Sequence, residues 1–280
     1  MLLSTFAFAL MGVLVKELTE MHAMQILFVR ATVAMSLLIP YMLSKDISIL
    51  GNKRRLLVIR AIFGTASIAT FFFVLQRIPL GSSVSLRFLG PIFGTLFAVY
   101  FLKEKVSKGQ WLCFAIAFSG VIMIKGFDAR IDHLSFVLVM SSAIFLGLAI
   151  IMVRYLTASE HFTTIILYFM AGSMITSLLF IQYWRWPIGV EWYALSGVAI
   201  MGILGQIFFT NGLKTEETNV AAPLKYLELA WVLIIGFFFF DETYGWIPFA
   251  GIILIVVGMV MNVIIKERAR KKVANSQLVK

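Results

Sequence analysis

Residues 77 to 124 align with residues 215 to 262 without a gap, at a constant offset of 138. Glu104 falls on Glu242, Gly120 on Gly258, Phe88 on Tyr226, and the cation Arg87 on the cation Lys225. The same offset places Val15-Lys16 on Val153-Arg154, Leu18-Thr19 on Leu156-Thr157, and Gly64 on Gly202. A chain that repeats itself over this length must build two similar units and join them, which constrains its fold more than any short motif does.

The two units are apolar. Hydrophobic residues make up 61% of the chain and charged residues 14%, whereas a soluble domain carries near a quarter charged. Lipid is the solvent that accommodates such an excess. Crossing a hydrocarbon core takes roughly 20 apolar residues. Ten candidate spans lie near residues 2 to 15, 24 to 43, 56 to 76, 80 to 102, 108 to 125, 134 to 155, 161 to 183, 192 to 213, 219 to 240 and 244 to 265. Short connections and the lack of Ser/Gly/Pro-rich linkers predict one compact, all-α integral membrane domain. The expected division is residues 1–125 for the first repeat, 126–266 for the second, and 267–280 for a basic cytoplasmic tail. The first span has no basic residue before it, so it reads as a span rather than a signal peptide. Ser4 corresponds to Ser142, which leaves that span a few residues short at its start.

The net charge of +10 does not point to nucleic acid, because the basic residues gather at span ends. One side collects Lys45, Lys53, Arg54, Arg55, Arg60, Lys103, Lys105, Lys108, Arg154, Lys214 and the tail from Lys266 to Lys280. The other has Lys16, Arg77, Lys125, Arg130 and Arg185. The richer side is expected to be cytoplasmic and to hold both termini. Five spans per half is an odd number, so the second half enters the membrane upside down. Two inverted halves can exchange conformations and open a shared site to each side in turn, which is the logic of a secondary transporter.

Charges placed within spans are expensive and mark cavities or partners. Four stand out: Arg30, Arg87, Lys225 and Glu228. Arg87 and Lys225 are related by the repeat, so both are expected to point into a central chamber and to attract an anionic or zwitterionic solute. Tyr226 and Trp231 supply aromatic surface beside Glu228, and Gln206 and Asn211 supply polar groups on the eighth span. Glu228 is short, and burial raises its pKa while a nearby Lys lowers it, so it is also the candidate for proton coupling. Arg30, whose repeat counterpart Tyr168 is uncharged, is expected to reach an interface instead. Gly90, Pro91 and Gly94 in span four and Pro223 in span nine are candidate kink or gating positions. Gly64, Ser67, Gly202, Gly205 and Gly212 are expected to let helices approach closely.

Other chemistries lack their residues. No phosphate-cradling Gly-rich loop with Lys and Ser/Thr is present, no zinc-binding pair of histidines occurs on one helix, and Cys113 stands alone within a span. No nucleophile with a placed base stands out. No catalytic residue, metal or cofactor is therefore expected, and the chain does not read as an enzyme.

Ten spans, a five-plus-five repeat and an acidic residue closing the fourth and ninth spans resemble the drug/metabolite transporter superfamily, specifically its EamA-type carriers. The matching residues are Arg60 with Gly64, Pro79-Leu80, Pro91, Glu104 and Gly120 in the first half. In the second they are Tyr226-Leu227-Glu228, Glu242, Gly251 and Gly258. The family's Gly nine residues after the closing Glu is kept at Gly251 and replaced by Cys113 in the first half. Its Pro after the span-nine Glu is Leu229 here. The resemblance implies a cavity between the halves, lined chiefly by spans three, four, eight and nine, and movement of small metabolites without ATP hydrolysis.

The leading expectation is a secondary carrier of a small anionic or zwitterionic metabolite, amino acids first, in a bacterial inner membrane. Efflux of amphipathic cations through Glu228 is the alternative within transport. A non-transporting scaffold that binds lipid or a partner through Phe237 to Phe240 and the basic tail is the alternative from another class. The expected partners are a small-molecule solute and the lipid bilayer, with a homodimer as the assembly allowed for.

Overall fold

The computed structural model describes residues 2–102, 106–157, 159–215 and 227–278. Its helices are α1 (Leu2–Glu17), α2 (Ala23–Ser44), α3 (Arg54–Leu75), α4 (Leu80–Arg87), α5 (Gly90–Leu102), α6 (Lys108–Phe127), α7 (His133–Leu156), α8 (Phe162–Leu178), α9 (Glu191–Thr215), α10 (Leu227–Phe240) and α11 (Trp246–Leu278). No strand occurs among the described residues. Among the described residues seven helical stretches, one of them running from Leu80 to Tyr100 through the α4–α5 break, are long and apolar enough to cross a membrane. α1, α8 and α10 are shorter, at 16, 17 and 14 residues. α11 continues as helix to Leu278, so most of the segment expected as a tail prolongs the last span. Its 33 residues reach about 50 Å at 1.5 Å per residue, well beyond a hydrocarbon core.

Local chemistry sets the helix starts. The side chains of His22, Ser107, Asp132 and His161 each accept a backbone N–H in the first turn of α2, α6, α7 and α8. Ser107 and Gln110 complete a reciprocal capping box. The pairing of helices is cross-wise between the halves of the chain. α6 lies along α11 and α2 along α8. α3 crosses α7 as α1 crosses α9, α5 rests on α7 as α1 rests on α10, and α3 touches α8 as α2 touches α9.

Glycines set the closest of these approaches. A Cβ on Gly120 would come within 2.4 Å of the Gly251 carbonyl oxygen, and one on Gly258 within 2.7 Å of the Cys113 carbonyl, so α6 and α11 touch backbone to backbone. α5 meets α7 in the same way at Gly94 and Gly147, where a Cβ on Gly147 would stand 2.7 Å from the Gly94 nitrogen.

The span expected to run unbroken through a Pro91 kink is instead interrupted at Phe88–Leu89. The reason is the missing N–H of Pro91, which cannot donate to the Arg87 carbonyl four residues back. The Leu89 amide tightens onto the Leu86 carbonyl, and the chain restarts with Ile92 and Phe93 donating to Leu89. Gly90 and Gly94 face α7, where a Cβ on Gly90 would lie 2.7 Å from Leu146, so both serve close packing. Pro223 lies outside the described residues.

At its other end α4 is held by the second half. Pro79 offers no side-chain cap, and the Glu242 carboxylate takes that place: the Leu80 N–H donates to both of its oxygens, at 2.8 and 2.9 Å. Lys16, at the end of α1, forms an ion pair with the same carboxylate and donates to the Ile78 carbonyl at 3.1 Å. The Tyr244 hydroxyl donates to Glu242 at 2.6 Å and accepts from the Gly81 N–H at 3.0 Å. Burial and the Glu242 charge hold the Tyr244 phenol far above its ordinary pKa, so its proton stays in place. Arg130, paired with Asp128, lies 5.1 Å from the centre of the Tyr244 ring. A carboxylate at a helix N-terminus is favoured by the helix dipole and by the unpaired amides there.

Glu242 therefore positions the helix that carries Arg87. Glu242→Ala leaves Lys16, the Leu80 amide and the Tyr244 hydroxyl without their acceptor and is expected to lower stability by about 3 to 5 kcal/mol. Glu242→Gln, which keeps an acceptor, is expected to cost less. Thermal denaturation of the purified protein in detergent checks both.

Candidate functional site

Three arginines from three consecutive transmembrane segments converge in the interior. Arg30 lies about 10 Å along α2, Arg60 about 9 Å along α3 and Arg87 about 10 Å along α4, counted at 1.5 Å per residue. Arg30 is 3% exposed and Arg60 9%. Arg30 lies within electrostatic reach of both Arg60 and Arg87. An arginine near a span end ordinarily runs back along the helix toward water. Arg60 does the opposite and folds forward over the next turn, so that a Cβ on Gly64 would stand 2.2 Å from its Nη1.

Aromatic rings cover these cations. The Arg60 guanidinium lies 4.4 Å and the Arg30 guanidinium 5.9 Å from the centre of the same Phe169 ring on α8. Arg87 lies 4.1 Å from the Phe71 ring on α3. A ring face attracts a cation without occupying its N–H donors, so the hydrogen-bonding capacity remains. Arg30 Nε and Nη1, Arg60 Nε and Nη1, and Arg87 Nε are all buried and have no acceptor among the described residues. Glu228, 8% exposed at the start of α10, lies within electrostatic reach of Arg87.

Small hydroxylated side chains tie the surrounding helices together. Thr65 and Ser173 hydroxyls meet at 3.1 Å between α3 and α8. Ser67 and Ser142 donate to each other's backbone carbonyls at 2.9 and 2.8 Å between α3 and α7. These bonds satisfy the Thr65, Ser67, Ser142 and Ser173 hydroxyls within the scaffold, whereas the guanidinium donors named above stay unmatched among the described residues.

The expected site residues divide into three sets. Arg87 and Glu228 lie within electrostatic reach of each other. Trp231 packs edge-on against Phe6 with ring centres 5.5 Å apart and is 37% exposed, and Gln206 is half-buried on α9. Lys225 and Tyr226 lie outside the described residues, and of Asn211 only its place in α9 is described.

The placements of Arg30 and Arg60 differ from the expected ones, and the two glycines have a further role. Arg30 does not reach an interface: it is turned inward against α9, where a Cβ on Gly202 would come within 2.7 Å of its Nε. Gly64 and Gly202, related by the 138-residue offset, sit at helix contacts, with Phe169 of α8 and Met11 of α1 against them, and do more than that. Each leaves the room that a guanidinium occupies. Arg60, counted as a cation of the cytoplasmic rim, belongs to the buried cluster. Its spacing of four residues from Gly64 was the signal that places it there, since residues four apart share a helix face.

Phe237, Phe238 and Phe239 are exposed on α10, as lipid-facing residues are, while Phe240 is half-buried with its ring centre 5.1 Å from the Lys16 ammonium. No cluster of metal-ligating side chains occurs among the described residues.

The EamA-like transporter family matches this chain over residues 1–126 and 133–264. The pseudopaline exporter CntI of Pseudomonas aeruginosa is 26% identical over 92% of each chain. Solute carrier family 35 member G1 of Mus musculus is 26% identical over 91% of this chain and 74% of its own. The S-adenosylmethionine uptake transporter of Rickettsia felis is 23% identical over 92% of this chain and 89% of its own. A crystal structure at 17% identity superposes with a TM-score of 0.67, covering 96% of this chain and 97% of that one, and shares the fold. With its apolar spans, its cross-paired helices and a family match over nearly the whole length, the chain is an integral, multi-pass membrane protein that belongs to the EamA-like transporter family.

Proposed function

We propose that this protein is a secondary carrier of a small anionic metabolite, working by alternating access around the arginine cluster. The observation that carries the reading is the set of five buried guanidinium nitrogens on Arg30, Arg60 and Arg87 with no acceptor among the described residues. Guanidinium groups have N–H donors and no acceptor, and their planar fork fits a carboxylate or phosphate. Arg30 lies within electrostatic reach of both Arg60 and Arg87 and is repelled by each, a repulsion that a bound anion offsets. The reading thus moves from zwitterions toward anions, and cation efflux through Glu228 is disfavoured because a cation would add to the repulsion.

The inverted repeat supports alternating access. Exchanging the two halves, with α4 and α5 taken as one span, leaves the helix pairings unchanged: α3–α7 becomes α9–α1, α5–α7 becomes α10–α1, and α3–α8 becomes α9–α2. The two matched family segments fall on the two halves as well. We take ten spans in two inverted sets of five, both termini cytoplasmic, and the inner membrane of a bacterium as the setting. In that orientation the Lys16–Glu242–Tyr244 network closes the outer end. The relatives are named for export in one case and uptake in another, so direction is not inherited from them.

Glu228 acts in this reading as the counter-ion of Arg87. A proton-carrying role makes a different prediction and can be separated from it.

In proteoliposomes, Arg60→Ala and Arg87→Ala proteins are expected to lose uptake of labelled organic acids by about 30-fold or more while eluting as folded protein. Uptake equal to that of the parent would remove the anion reading. An imposed proton gradient is expected to change the parental rate by less than about twofold. Acceleration that Glu228→Gln abolishes would make Glu228 the proton carrier instead.

A further inference from the structure

An inward arginine serves a solute only if something holds it there without occupying its donors. A carboxylate partner would hold it by accepting those N–H groups. An aromatic face holds it through the ring quadrupole and leaves the in-plane donors free. Phe169 on α8 does this for two arginines at once: the Arg60 guanidinium lies over its ring at 4.4 Å from the centre and the Arg30 guanidinium at 5.9 Å. Nε and Nη1 of both stay buried and without an acceptor among the described residues.

The packing of α8 on α3 sets the place of that ring. Phe169, Gly172 and Ser173 are three and four residues apart and share one face of α8, as Ala61, Gly64 and Thr65 share one face of α3. A Cβ on Gly172 would stand 3.1 Å from the Ala61 Cβ and 3.4 Å from the Thr65 Oγ1, and the Thr65 and Ser173 hydroxyls meet at 3.1 Å. One turn away the ring, itself buried, reaches the bare surface of Gly64, where a Cβ would lie 3.0 Å from Phe169 Cδ2 and 2.2 Å from Arg60 Nη1. Ring and guanidinium thus border the same space beside α3, and the ring comes from the half of the chain that carries neither arginine. Without that face Arg60 is left to the pull of water at the rim, toward which a long cationic side chain near a span end ordinarily runs.

We infer that, granted the anion-carrier reading above, Phe169 is the positioning residue of the solute site: its ring keeps the Arg60 and Arg30 guanidiniums turned inward with their N–H groups free for the anion. It acts through the two arginines rather than on the solute.

The test compares two ring-less variants, Phe169→Leu and Phe169→Met, with the ring-bearing Phe169→Tyr, in the purified full-length protein. The probes are acetate, succinate and methyl phosphate. Apparent affinities are read from the rise of each protein's own unfolding temperature with ligand concentration, which separates a change of binding from a change of stability at a buried position. The parent is expected to bind at least one probe, Phe169→Leu and Phe169→Met to bind it about tenfold or more weakly, and Phe169→Tyr to stay within about threefold of the parent. Binding by a ring-less variant equal to that of the parent, or a loss in Phe169→Tyr as large as in Phe169→Leu, overturns the positioning role and leaves the anion-carrier reading standing. A parent that none of the three probes stabilises, or whose stabilisation Arg60→Ala retains in full, overturns both.

Discussion

Burying like charges in a medium of low dielectric is the constraint around which this protein is arranged. Each arginine within a span costs roughly 2.5 to 3.5 kcal/mol on insertion scales, so three cost about as much as a whole domain's net stability of roughly 5 to 15 kcal/mol. The structure offsets part of that through aromatic faces, at most about 2 kcal/mol each when desolvated, and through Glu228. Among the described residues nothing offsets the rest. Arg60 has a route back to the rim along its own helix and takes the inward one over Gly64. A geometry that declines the cheaper alternative is one maintained for function, because stability alone would remove it.

The remaining architecture holds those charges in place. Arg30, Arg60 and Arg87 come from successive helices of one half, while the partners that shape their positions come mainly from the other: Phe169 on α8, Gly202 on α9 and Glu228 on α10. α4 is short, broken below Arg87 by the missing N–H of Pro91 and capped above by Glu242 from across the molecule. A short helix fixed by a polar network at one end and interrupted at the other can tilt as a unit when that network opens. Movement of Arg87 and release of the loop end are then linked through eight residues of helix. The backbone contacts of α6 with α11, by contrast, leave no room for such motion and supply a rigid frame.

Helix positions were legible from the apolar runs because a bilayer permits little else, and the repeat was legible because both halves keep their acidic and glycine landmarks. The break at Phe88–Leu89 was displaced from the expected kink because the lost hydrogen bond belongs to the carbonyl four residues before the proline. Arg30, Arg87 and Glu228 stood out by their depth in the spans. The inward direction of Arg30 and Arg60 did not, since a long side chain rooted near a span end can point either way, and only the partner helix decides. Gly202 lies 172 residues from Arg30 along the chain, a distance no local pattern spans. The relation was nevertheless present in the offset that pairs Gly64 with Gly202, once an arginine is placed against each.

If the arginines are held at a cost to stability for the sake of an anion, removing their charge must relieve the ligand-free protein. The direct measurement is the unfolding temperature, without added solute, of Arg30→Met and Arg60→Met proteins beside the parent, since Met keeps an unbranched apolar side chain of similar reach. The account predicts a rise of about 2 to 5 °C in each. A fall of that size would mean that the guanidinium groups are structural bridges of the folded core, and would contradict the assignment of this cluster as the solute site.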